Sequence, residues 1–147
     1  MCDDSSARNP CVELTQLATD DEGWWHLTVT VTDRTYAVQQ EFYVYPSDLL
    51  DWAGQLSRFP NVANDEVQFA IGDHESAHWV RLREWLVDRA GHAAIAVDLG
   101  CSGDDLYRRS ASFAIRCDVG SLNRLGEAVR RWIDNPTTPL RAPIYMS

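Results

Sequence analysis

One construction occurs twice in this chain: an alternating apolar–polar strand that runs directly into an amphipathic helix. In the first copy, 41–56, Phe42 and Val44 alternate before Leu49, Trp52, Ala53 and Leu56 recur at helical spacing. In the second, 112–133, Phe113, Ile115 and Cys117 alternate before Leu122, Leu125, Val129, Trp132 and Ile133. In each, a period of two gives way to 3.6 across a serine, Ser47 or Ser121, whose hydroxyl can cap a helix N-terminus. Such units dictate an α+β architecture.

Further alternation predicts strands at 12–17, 25–32, 36–44, 67–71, 93–99 and 111–117, with Asp33-Arg34 as a tight connection. Segment 78–87 is ambiguous. As a helix it gathers Trp79, Val80, Leu82, Leu86 and Val87 on one side, with Arg81, Glu84 and Asp88 opposite. As a strand it turns Val80, Leu82 and Leu86 one way and Trp79, Arg81, Arg83 and Trp85 the other, with 89–92 as a hairpin turn. Periodicity slightly favours the helix. The expected fold is one domain over residues 1–147: a curved, mainly antiparallel sheet of about six or seven strands carrying two main helices. Residues 1–10 and the proline-bearing 137–147 read as flexible or extended arms.

At 147 residues, 45% of them hydrophobic and six of them tryptophan, the chain can bury a single core. No apolar run reaches the ~20 residues of a membrane span, and the N-terminus lacks the basic start and apolar stretch of a signal peptide. These features predict a cytoplasmic protein. Cys2, Cys11, Cys101 and Cys117 form no CxxC pair and read as reduced thiols.

Net charge is −9, and all 13 basic residues are arginine. Without lysine there is no Schiff base, no pyridoxal anchor and no Walker-type phosphate contact. An acidic domain repels phosphate backbones, so nucleic acid is not an expected partner. Clusters such as Asp20-Asp21-Glu22 and Asp104-Asp105 serve solubility or complement a basic partner.

Two constellations compete for a functional reading. His74-Glu75-Ser76-Ala77-His78 matches HExxH, in which two histidines one helical turn apart bind zinc and the glutamate polarises water. However, Gly72-Asp73 places His74 in a turn or at a helix start, and neither Glu84 nor His92 is spaced as a third ligand. A small zinc-dependent hydrolase using His74, Glu75 and His78 is therefore the alternative reading. Cys101 and Cys117 fit buried strand ends better than a catalytic thiol. The other constellation is Trp24, on the strand face opposite Trp25 and beside Asp20, Asp21 and Glu22. An exposed aromatic next to carboxylates is typical of a protein-binding hot spot, unless a second layer covers it. The loop at Asp104, Asp105 and Tyr107 is a second candidate surface.

The Trp24-Trp25-x-Leu27-x-Val29 strand resembles the WapI-type bacterial immunity proteins and a related bacterial domain family of unknown function. So do the aromatic strand entering Leu49-Leu50-x-Trp52, the Val80-Arg81-Leu82-Arg83 segment, and Ser121-Leu122-x-x-Leu125. The resemblance runs from about Val12 to Ile133, and no single motif in it is diagnostic. It implies that the Val80 segment is a strand. It further implies a non-catalytic antidote that binds and neutralises a cognate, basic protein toxin, often a nuclease, without a cofactor. A regulatory binding module with no toxin partner is the other non-enzymatic expectation.

Overall fold

The computed structural model describes residues 9–61, 66–72, 76–103 and 108–145. The elements follow in the order β1 (Cys11–Thr19), β2 (Trp25–Thr32), β3 (Ala37–Val44), α1 (Pro46–Ser57), β4 (Glu66–Ile71), β5 (His78–Leu86), β6 (His92–Cys101), β7 (Arg109–Asp118), α2 (Val119–Asp134) and β8 (Leu140–Pro143). The α+β class is as expected. The sheet arrangement differs: there are two four-stranded antiparallel sheets, ordered β3-β2-β1-β8 and β4-β5-β6-β7. Each repeated unit thus ends a sheet, because β3 and β7 are both edge strands that feed a helix.

The eighth strand comes from the tail. Although Pro139 precedes it and Pro143 ends it, β8 pairs with β1 from Cys11↔Pro143 to Leu14↔Leu140 and buries Leu140 and Ala142, with Ile144 buried just beyond it. Proline is tolerated there because an edge strand needs hydrogen bonds on one side only. Segment 78–86 is a strand, and 88–91 is its hairpin turn, with Gly91 at φ +96°. Cys11 is disulfide-bonded, which corrects the expectation of reduced thiols, whereas Cys101 and Cys117 are thiols. Among the described residues no helix is long and apolar enough to cross a membrane.

The inner faces of both sheets and the facing stripes of both helices form one continuous core. Val12, Leu14, Leu27, Val29, Val31, Phe42 and Val44 come from the first sheet, and Val67, Phe69, Val80, Leu82, Ile95, Val97 and Ile115 from the second. Leu49, Trp52, Ala53 and Leu56 of α1 meet Leu122, Leu125, Val129 and Trp132 of α2.

Neither helix is capped by the expected serine. Pro46 occupies the first turn of α1, where its missing N–H costs nothing, and Tyr45 is the N-cap without a side-chain bond. At α2 the cap is Asp118, whose Oδ1 accepts from Ser121 N at 2.6 Å. Ser121 instead holds the tail: its Oγ donates to Tyr145 O at 3.1 Å and accepts from Tyr145 N at 2.8 Å. The C-terminus of α1 is closed from outside. Asn123 Nδ2 on α2 donates to Leu56 O at 2.9 Å and Phe59 O at 2.8 Å. Asn123→Ala leaves these carbonyls without that donor and is expected to cost about 1–2 kcal/mol, readable as a lowered urea midpoint with an unchanged m-value.

Candidate protein-binding site

The turn between β1 and β2 is organised by one carboxylate. Asp20 Oδ1 accepts from Glu22 N and from Trp24 N, each at 2.9 Å, while Asp20 N donates to Trp24 O at 3.0 Å. Gly23 takes φ +90°, which a side chain would strain. Asp20 is therefore the residue that positions Trp24, and Asp21 and Glu22 share its exposure on the turn. Asp20→Ala is expected to cost about 1 kcal/mol and to broaden or shift the Trp24 indole N–H resonance, an effect that Asp21→Ala should not produce.

Trp24 is half-buried, and its indole stacks on Tyr45 with ring centroids 3.9 Å apart and an interplanar angle of 27°. On the adjoining strands His26 pairs with Tyr43, and their rings stack at 4.5 Å and 14°. Residues two apart on a strand share a face, so Trp24/Tyr45 and His26/Tyr43 form two successive stacked pairs on the outer face of the first sheet. Glu41 continues the row, 3.5 Å from His26 Nε2. Tyr43 and Tyr45 are 50% and 39% exposed, an unusual amount for adjacent large aromatics.

Beside this platform, along the edge strand β3, lies a groove of about 540 Å³. Its lining includes Trp24, Tyr43, Asp48, Ile71 and His78. A second hollow of about 220 Å³ shares Asp48, Ala70 and Ile71 with it and adds Asp51 and Gln55. Asp48 and Asp51 come from the first turns of α1, so the helix start brings carboxylates to the groove wall.

His78, the last position of the HExxH match, opens strand β5 and pairs with Cys101 across to β6. Its Nδ1 lies 3.0 Å from Gln40 Nε2 and accepts from that amide, tying the two sheets together at this edge. His74 and Glu75 lie outside the described residues, as do Asp104, Asp105 and Tyr107 of the second candidate surface. Among the described residues no group of three or more His, Cys, Asp or Glu side chains is placed to hold a metal.

Among the described residues, Glu84 has the most perturbed carboxyl group. It is fully buried on the inner face of β5, where Trp52 Nε1 donates to Oε1 at 3.2 Å and Oε2 finds no hydrogen-bond partner among the described residues. Burial pushes its pKa from 4.5 to about 8, against the opposing bond from Trp52. A carboxyl sealed from solvent by the core touches no substrate, so its role is structural. The Cys117 thiol is pushed up to about 12, first by burial and then by the neighbouring Asp118 and Glu84 charges, which keeps it from acting as a nucleophile near neutrality.

No protein-family model matches the chain. The chain is similar to FO synthase from Mycobacterium tuberculosis and from Mycobacterium bovis, at 26% identity over 128 residues in each case. That match takes in 87% of this chain, and the chain spans about 13% of the length of the curated relatives it matches. Among solved structures it is similar to the plant transcriptional regulator PBF-2, with a TM-score of 0.46 and 10% identity over 86% of this chain and 77% of that one.

Proposed function

We propose that the protein is a non-catalytic binding module of the immunity type, which recognises and neutralises a basic protein toxin. The observation that carries this reading is the double aromatic stack of Trp24/Tyr45 and His26/Tyr43, in which both tyrosines are exposed and Trp24 and His26 half-buried. Trp24 follows the exposed Asp21-Glu22 turn directly, and Trp24 and Tyr43 share their groove with the exposed Asp48. Rigid aromatics contribute contact area at little entropic cost, and surrounding negative charge accelerates encounter with a basic partner. The net charge of −9 acts in the same direction. A cytoplasmic site of action belongs to the same proposal.

The test begins with the tagged protein expressed in its native host and purified with whatever remains bound. The expected partner is basic, arrests growth when produced alone, and is tolerated when this chain is co-produced. A retained partner whose toxicity is unaffected by the chain contradicts the antidote role.

A further inference from the structure

We infer that the groove beside β3 seats an arginine side chain of the partner, its guanidinium lying against Trp24 and Tyr43 and facing Asp48. This rests on the partner reading above and adds the chemistry of the contact. Three observations converge on a cation. Among the described residues, the groove and the hollow that continues it are lined without an arginine, although the chain carries 13 basic residues. Its aromatic walls are held in place: Tyr45 backs Trp24 at 3.9 Å, and His26 backs Tyr43 at 4.5 Å. Rings braced by stacking present an ordered π-surface, the arrangement that favours a planar cation.

The third observation is charge. Among the described residues Asp48 has no ion pair, and the Asp51 carboxylate accepts only from the amide of Gln55, at 3.2 Å. Gln40 Nε2 lies 3.0 Å from His78 Nδ1, so that ring nitrogen is already engaged within the protein. A carboxylate without a cation, beside two braced aromatics, offers a guanidinium both its hydrogen-bond acceptor and its stacking surface. An apolar side chain would leave Asp48 desolvated and unpaired. An acidic one would face like charge.

The probe is the blocked tripeptide acetyl-Gly-Arg-Gly-amide, titrated into the whole protein at millimolar concentration and followed by NMR. The norleucine counterpart serves as the control. The arginine peptide is expected to shift the Trp24 indole and Tyr43 ring resonances, and the norleucine peptide to leave them in place. Asp48→Asn keeps shape and removes charge, so it should weaken the arginine peptide roughly fivefold while the other indole signals stay unchanged. Equal shifts from both peptides, or unchanged arginine binding by Asp48→Asn, overturn the inference. The two readings fail separately. If the partner binds through the platform but the peptide does not, this inference falls and the proposed function stands. If the peptide binds and no partner uses the platform, the proposed function falls.

Discussion

Gly126→Ala is expected to destabilise the protein by about 2 kcal/mol, although helix propensity alone predicts a gain of about 1 kcal/mol from replacing a mid-helix glycine. Gly126 is buried where α2 crosses α1. A Cβ there would sit 2.6 Å from Ala53 O, 2.7 Å from Ser57 N and 2.8 Å from Leu56 Cβ. Two of these are backbone atoms of a packed helix, so the helices themselves must separate. Separation opens the contact among Ala53, Leu56, Leu122 and Leu125 that closes the core, and it stretches the Asn123 bonds to the end of α1. Thermal or urea unfolding reads this directly, with the melting temperature falling by roughly 5–8 °C for a chain of this size. Gly126→Val should cost more still. An alanine variant as stable as the parent would show that α1 and α2 do not approach this closely.

Glu84 gives the second large effect, and its sign follows from linkage. Its folded pKa of about 8 lies above the ordinary 4.5, so between these values the folded chain binds more protons than the unfolded one. The stability contributed by the neutral carboxyl is fully present below pH 4.5 and is lost progressively as pH rises through about 8. At about 1.4 kcal/mol per pKa unit, several kcal/mol are at stake over that window. Glu84→Gln stays neutral and keeps an acceptor for Trp52 Nε1, so the variant should lose most of this pH dependence. It should be the less stable protein near pH 5 and match or exceed the parent near pH 9. Parallel stability curves for the two proteins would place the charge of Glu84 in solvent.

Glu84 also illustrates what was legible in the sequence. A period of two over 78–86 puts it in the same row as Val80, Leu82 and Leu86, which is a buried carboxyl by pattern alone. The helical reading of the segment hid that by moving Glu84 to the solvent side. The Trp25-to-Val44 hairpin was legible because Trp25, Leu27, Val29 and Val31 alternate with polar residues and Val38, Phe42 and Val44 keep to one face of the returning strand, Gln40 being the exception. The tail strand β8 was not, because Pro139 and Pro143 argue against pairing unless one knows that the strand lies at an edge. The helix caps were misplaced by two and three residues, since Tyr45 and Asp118 hold the cap positions expected for Ser47 and Ser121. Close approach at Gly126 leaves no local signature, because a glycine that fits a neighbour and one that merely weakens a helix look alike in a single sequence.

At the candidate site, the sequence singled out Trp24 and the acidic turn, and the structure sets them side by side. What it missed was the division of labour within the turn, where Asp20 is consumed by backbone hydrogen bonds, and the three aromatic neighbours of Trp24. The period-two row Trp24/His26 opposite Tyr43/Tyr45 could have shown them once the hairpin register was known.

The most direct test of the account is the dissociation rate of the native-host partner from the parent protein and from Trp24→Ala, measured alongside the double charge reversal Asp21→Arg/Glu22→Arg. Asp20 is left intact so that the turn survives. The account predicts faster dissociation for Trp24→Ala, at a cost of about 2 kcal/mol in affinity, and a slower, less salt-dependent association for the charge reversal. Unchanged rates in both folded variants would contradict it and move the partner to another face of the molecule.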